Sequence, residues 1–250
     1  MLLLTINACV LMKFIHFSFN DLKKQRLTKM LEIFKEYDIV CIQEVWDCLW
    51  GNIEYFYENC RKEGWYVAYT KIDVLTNTGN IILSKKPIKK TGWMVFKNSG
   101  DWQRIMANGI LYALIDDMYI FTTHLHSDSF PKILTCQKIR EKQMMEVYDY
   151  IHKIKTTDSK WLLCGDLNIC VQSELYKKVI KMFGMESTLK LCGYPNTYNH
   201  LSFLVPWGWQ NVEKFLCIDH IFTNMKIEKC KVLSNIDISD HFPIMLRIKD

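Results

Sequence analysis

The chain is short of the residues that punctuate or break a fold. Five prolines and ten glycines are spread over 250 residues. No Pro/Ser-rich linker, low-complexity tract or internal repeat accompanies them, which excludes solenoids, collagen-like chains and disordered linkers. Nothing marks a place to divide the chain, so one domain over residues 1–250 is expected. No apolar run reaches the roughly 20 residues that a membrane-spanning helix needs. There is no CxxC pair among the ten cysteines, and their spacing is irregular. Cys41, Cys164 and Cys217 lie inside the apolar runs "IVCIQ", "WLLCGD" and "FLCIDHIF", where a thiol behaves as a small hydrophobe. Reduced thiols and a cytoplasmic, intracellular setting are the expectation. The opening "MLLLTINACVLMKF" lacks a basic leader and a small-residue cleavage site, and Asn7 interrupts it. It reads as a first strand rather than a signal peptide.

What is present is ordinary for a globular protein: about half the residues are apolar and a quarter charged. The net charge of +5, from 32 basic and 27 acidic residues, is mild. It suits an anionic substrate without requiring one. The densest basic stretch, "SKKPIKK" at 84–90, reads as a solvated turn between strands.

Strand-like and helix-like segments alternate. "LLLTIN" (2–7) and "DIVCIQE" (38–44) are short apolar runs, and 22–36 places Leu27, Met30, Leu31 and Phe34 at helical spacing. A helix is expected over 48–63. Short strands follow at 65–71, 80–85, 91–96, 109–115 and 118–124, with a hairpin turn at Asp116-Asp117. A long amphipathic helix at 136–155 precedes the strand "KWLLCGD" (160–166), a helix near 172–183 and three closing strands. About ten strands with three or four helices suit two mixed sheets packed face to face and covered by helices.

The chemistry-bearing residues collect at strand ends. Asn7 closes the first strand, Glu44 the second, and His124 closes "MYIFTTH". Asp166 and Asn168 follow "KWLLC", Asp219 lies in "CIDHIF", and Asp240-His241 open the last strand, "SDHFPIM". Each has a plain structural reading alone. Glu44 or Asp166 can cap a helix, Asn168 can be a turn residue, His124 a satisfied core histidine, and Asp219 half of a salt bridge. Together they form a set: two Asn, four carboxylates and two His at strand termini, on strands otherwise almost free of charge. A rigid scaffold holds side chains at such a rim while ligand can still reach them.

In order and separation, "LLLTIN", "IVCIQEVW", "NIILSKKPI", "TTHLHSD", "LLCGDLN", "CIDHIF" and "SDHFPI" resemble the endonuclease/exonuclease/phosphatase superfamily, the fold of DNase I. Within it the spelling is most similar to the neutral-sphingomyelinase-like branch, including "DW…G" at Asp101-Trp102 and Gly109. The resemblance covers essentially the whole chain. It implies a four-layer α/β/β/α sandwich and a Mg²⁺-dependent phosphodiesterase, with Mn²⁺ able to take the place of Mg²⁺. By the same resemblance Glu44 is the principal metal ligand, with Asn7 and Asp240 beside the metal. Asp166 and Asn168 orient the attacking water and the phosphate. His241 is paired with Asp219, and His124 contacts phosphate oxygens or the leaving group. An all-oxygen set suits a hard ion better than zinc. Whether His241 or Asp166 activates the water stays open.

The chain departs from that branch in places. Asn108 stands where a lysine is usual, with Arg104 as its substitute. "IDH" replaces "IDY" at His220, and Thr78, Gly79 and Asn80 offer no acidic partner for His124. The C-terminal membrane spans of the animal enzymes are absent. His126 reads as structural, Arg26 as a helix-surface or packing residue, and "FLVPWGWQ" (203–210) as a core segment or lid whose alternative is a peripheral membrane contact. The expected substrate is a phosphodiester, taken by a monomer. It is either a phospholipid head group, as in a sphingomyelinase-like phospholipase C, or DNA or RNA. An inactive binding module is the third reading, disfavoured because every core residue is present.

Overall fold

A computed structural model describes residues 1–10, 22–46, 52–70, 77–100, 107–128, 133–205 and 215–249. Asp101, Trp102, Arg104 and the 206–210 part of the aromatic segment, with Trp207 and Trp209, lie outside them. In chain order the first half holds β1 (Leu2–Val10), α1 (Lys23–Phe34), β2 (Ile39–Val45), α2 (Asn52–Lys62), β3 (Tyr66–Tyr69), β4 (Ile81–Ser84) and β5 (Ile88–Val95). The second half holds β6 (Gly109–Ile115), β7 (Met118–His124), α3 (Ile133–Ile154), β8 (Lys160–Asp166), α4 (Glu174–Phe183), a 3₁₀ helix (Thr188–Cys192), β9 (Asp219–Thr223), β10 (Ile227–Val232) and β11 (Ile244–Ile248).

Two mixed sheets result. One has six strands in the order β10-β11-β1-β2-β4-β3, the other five in the order β5-β6-β7-β8-β9. Three apolar layers hold the stack together. Leu27, Met30, Leu31 and Phe34 of α1, with Phe56 and Cys60 of α2, pack on the six-stranded sheet. Leu3, Cys41, Leu111, Ile120, Cys164 and Leu246 meet between the sheets. Met144, Val147 and Ile151 of α3 and Val179 of α4 cover the five-stranded sheet with Phe121, Leu163 and Phe222. The four-layer sandwich expected from the motifs is present. Full burial of a side chain such as Phe34 or Phe121 contributes about 1.5–3 kcal/mol.

Several boundaries move for physical reasons. Residues 109–115, 118–124 and 160–166 form strands as read. β1 continues past Asn7 to Val10 because a register shift between Asn7 and Val10 lets it keep pairing with β2. In "SKKPIKK", Lys85 and Lys86 make the exposed turn, but Ile88 already opens β5. The last strand begins at Ile244, not at Asp240-His241. His241 instead makes an isolated antiparallel bridge to Tyr198.

The topology decides where the polar ends go. β1 and β2 are parallel, as are β7 and β8, where His124 lies opposite Asp166. β9 runs antiparallel to β8 and places Asp219 opposite Asp166. β11 enters antiparallel to β1, so the segment before it arrives at the same rim.

Candidate active site

Local backbone geometry at the rim is unusual where the candidates sit. Glu44 has φ 59°, Cys9 φ 49° and Asn168 φ 52°, all left-handed. For non-glycine residues each such position costs about 1–3 kcal/mol, and it persists only where surrounding structure dictates it. At Glu44 the flanking ladder does so: the Val45 N–H donates to the Gly79 carbonyl (3.0 Å) and the Trp46 N–H to the Val10 carbonyl (3.0 Å). Gly79 is itself left-handed, and a Cβ there would lie 2.5 Å from the Trp46 indole. The glycine of "CGD" is equally constrained: a Cβ on Gly165 would lie 2.0 Å from the Thr123 carbonyl oxygen. That close approach presses β8 against β7 immediately before Asp166.

Asp166 is the hub. Its Oδ1 accepts from the Asn168 N–H (2.8 Å), a local turn that explains why Asn168 follows two residues later. Its Oδ2 accepts from Asn7 Nδ2 (3.0 Å) and lies 3.6 Å from both His124 Nε2 and His241 Nε2. On its far side His241 donates from Nδ1 to Asp219 Oδ2 at 2.9 Å. Glu44 Oε1 is 3.5 Å from His124 Nε2. Seven of the eight residues singled out from the sequence are thus joined by these contacts. Asp240 is adjacent, with Oδ1 3.2 Å from the Ser239 hydroxyl, and its charge reaches Glu44.

Burial sets the protonation states. Glu44 is pushed up to about 8, first by desolvation and then by Asp240. Asp166 is raised too, by burial and by Asp219. The two histidines diverge. Burial lowers His124 to about 4, outweighing the attraction of Asp166, so its imidazole is neutral. Burial acts the same way on His241, but Asp219 and Asp166 together overcome it and hold it well above its ordinary value. The tautomer of His124 follows from Asn168. The Leu125 carbonyl can only accept, so the group donating to it at 3.1 Å is Nδ2, and the same nitrogen faces His124 Nε2 at 3.1 Å. Nε2 is therefore an acceptor and the proton sits on Nδ1. That nitrogen is buried with no hydrogen-bond partner among the described residues, in keeping with the lack of an acidic residue at 78–80.

Two carboxylates and the accepting imidazole of His124 accordingly converge at the rim, with Asn7 and the His241 imidazolium as donors to one side. Glu44, His124 and Asp166 present ligand atoms all within 4.8 Å of one another, and Asp166, Asp219 and His241 form a second such group. A divalent cation relieves that arrangement, and the donor chemistry fits Mg²⁺: two carboxylates and hydrogen-bonding neighbours, no thiolate. The geometry draws Asp166 into the group containing Glu44, and Asp240 acts on Glu44 through its charge. Asn7 spends Oδ1 on the Cys9 N–H (3.1 Å) and Nδ2 on Asp166, so it orients the carboxylate.

Other residues of the rim were not found by reading the sequence. Arg26, read as a helix-surface or packing residue, is 3% exposed. Its guanidinium donates to the carbonyls of Ala8 (2.7 Å), Cys9 (2.8 Å) and Ile238 (3.1 Å). It therefore ties the irregular end of β1, beside Asn7, to the segment carrying Asp240 and His241. The Ser239 hydroxyl makes the same tie by donating to the Asn7 carbonyl at 2.6 Å. The Tyr198 ring meets His241 edge-on at 5.3 Å, and Trp46 lies 5.4 Å from His124. A charged residue inside an otherwise apolar helical stripe was the one available signal for Arg26. His220 and His126 do not join the site. His220 Nε2 lies 2.7 Å from the Ile169 carbonyl under a stacked Tyr176. The backbone of His126 is held by Gln143 and Arg140 of α3.

Comparison with known proteins bears on the family and the fold. The profile of the Endonuclease/Exonuclease/phosphatase family matches residues 16–241. The chain is 24% identical over 210 residues to sphingomyelinase C of Leptospira interrogans, covering 73% of this chain and 37% of that protein. It thus spans little more than a third of that relative. It is 24% identical over 286 residues to phospholipase C of Staphylococcus aureus, covering 97% of this chain and 85% of the relative. Among solved structures, SmcL superposes with a TM-score of 0.83 at 19% identity, covering 100% and 98% of the two chains. A Staphylococcus aureus beta toxin variant with bound magnesium ions gives 0.78 at 22%, covering 99% of each. D. rerio TDP2 complexed with a single-strand DNA product gives 0.72 at 15%, covering 100% and 99%.

Proposed function

The chain belongs to the endonuclease/exonuclease/phosphatase family, and from that premise we propose that it is a metal-dependent phosphodiester hydrolase of the sphingomyelinase type, releasing a phosphorylated head group. The observation that carries this reading is Asp166 Oδ2, 3.6 Å from two imidazoles of opposite protonation state and fixed by Asn7. Glu44 and Asp166 would hold the metal, with Asp240 adding negative charge nearby. A bound Mg²⁺ supplies charge neutralisation at the phosphate and a more acidic water.

The residues divide the remaining work. Asp219 fixes the His241 ring through Nδ1, leaving Nε2 turned toward Asp166. In the resting site His241 is an imidazolium, so it is set to neutralise charge on the phosphoryl oxygens or to protonate the departing alkoxide. Asp166, raised above the usual carboxylate range, is placed to take the proton of the attacking water. Asn168 holds the neutral His124 with its accepting Nε2 turned to the rim, where it suits a cation or a water proton rather than an anionic oxygen.

For the lipid substrate, the named relatives are a sphingomyelinase and a phospholipase C, and the segment 201–205 presents exposed Leu201 and Phe203. Exposed apolar residues of this kind suit a lipid surface. One observation favours a nucleic-acid substrate instead. Asn108, where a lysine is usual, is buried, and its side-chain amide nitrogen and oxygen have no hydrogen-bond partner among the described residues. The test offers purified protein sphingomyelin vesicles, plasmid DNA and RNA, each with Mg²⁺ or EDTA. Phosphocholine release that EDTA abolishes supports the proposal. Nicked plasmid or degraded RNA transfers it to the nuclease reading, and binding without turnover leaves an inactive module.

A further inference from the structure

Away from the rim, the 3₁₀ helix Thr188–Cys192 lies across the open side of the sandwich and packs against both β9 of one sheet and β10 of the other. Two thiols meet there. Cys230, 7% exposed, points from β10 into the core between the sheets. Cys192, partly exposed, closes the 3₁₀ helix just before Gly193, whose left-handed φ of 76° turns the chain away. Their sulfurs are 4.0 Å apart, and the Thr188 hydroxyl lies 3.8 Å from Cys230 Sγ. Cys192 Sγ also faces the Leu189 carbonyl at 3.3 Å.

We propose that Cys192 and Cys230 are a disulfide-forming pair that joins the 3₁₀ helix to the edge strand β10 when a peroxide is present. The Cys192 thiolate attacks the peroxide: an S–O bond forms, the O–O bond breaks, and the leaving hydroxide takes a proton to become water. Cys230 sulfur then attacks the sulfenic sulfur. The S–S bond forms, the S–O bond breaks, and the hydroxide leaves as water with the proton of the Cys230 thiol. The two thiols together lose two electrons, which reduce hydrogen peroxide to water.

The division of labour follows from the surroundings. The contact between the two thiols brings Cys192 down to about 7, against the opposing effect of its burial. Cys192 is also the sulfur that solvent reaches, whereas Cys230 is buried. Cys230 is raised by the same contact, and Cys217 by burial. Neither of these competes as the attacking sulfur. The bond would also anchor the base of the segment that runs on to Tyr198, the residue bridged to His241.

The experiment uses the full reduced chain and hydrogen peroxide at slight molar excess, followed by alkylation and peptide mapping. The expected product is a single cross-link between the peptides holding Cys192 and Cys230, with two fewer free thiols and a higher melting temperature. Cys230→Ser should stop at a sulfenic acid on Cys192 that dimedone traps, and Cys192→Ser should remove the cross-link altogether. The proposal is overturned if wild-type protein yields no cross-link, or if Cys192 is joined instead to Cys170 or Cys217. Because the mapping is done on wild-type protein, the result stands even where a variant misfolds.

Discussion

The two ends of the strand pair β7–β8 carry similar charged groups in opposite circumstances. At one end Asp117 meets Lys160 at 3.2 Å, both well exposed, and the lysine draws the Asp117 pKa down. At the other end of the two strands His124 faces Asp166, both buried. There desolvation drives the carboxylate up and the imidazole down. Water and an opposite charge satisfy the first pair. The second is left with converging acceptors, which is stable only with protons or a cation between them. Position relative to solvent, rather than residue type, separates a surface ion pair from a candidate reaction centre.

The sharpest way to break this contrast is at the buried end. His241→Ala should lower phosphodiester hydrolysis by about 10²–10⁴-fold with the circular dichroism spectrum retained. Asp219→Asn should approach the same loss through misorientation of the ring. Were activity to survive both, the proton-transfer assignment would fail.

Arg26→Met should come next, measured as stability. It leaves three buried carbonyls without their donor, and a loss of about 3 kcal/mol in a denaturant titration is expected. Activity should fall as well, because the backbone flanking Asn7 and Asp240 is released. An unchanged midpoint would mean that the tie carries little.

A smaller, signed effect concerns pH in metal-free protein. Glu44 at about 8 and the raised Asp166 and His241 keep protons in the folded state that the unfolded chain has released. Stability must therefore fall as pH rises from 6.5 to 8. His124 acts oppositely but only lower, between about 4 and 6.5. Melting temperatures at pH 6.5 and 8 should show the fall, Glu44→Gln should flatten it, and added Mg²⁺ should reverse it at pH 8. A flat profile in wild-type protein would contradict the buried-carboxylate account. At the exposed end, Asp117→Asn should leave both melting temperature and hydrolysis unchanged.

Much of the molecule was legible in the chain because period and punctuation are local. The runs 109–115, 118–124 and 160–166 are apolar, bounded by turns, and became strands at those bounds. The site residues were legible because each interrupts or ends an apolar run, an expensive place for a polar group that has no task. For Arg26 the sequence left surface and packing open, because helical spacing alone cannot say that its partners are carbonyls from residues 8, 9 and 238. Asp240-His241 was misread as strand because the bridge that holds it comes from Tyr198, which has no local signature.

By itself the sequence determined the alternation of elements, the layered class and the identity of the groups at the strand ends, since these follow from hydrophobic period and from the cost of burying charge. Only the tertiary structure decided that Asp166 is the centre and that His124 is neutral while His241 is charged. Protonation and distance depend on which neighbours are brought into low dielectric together, and those neighbours lie more than two hundred residues apart along the chain, from Asn7 to His241.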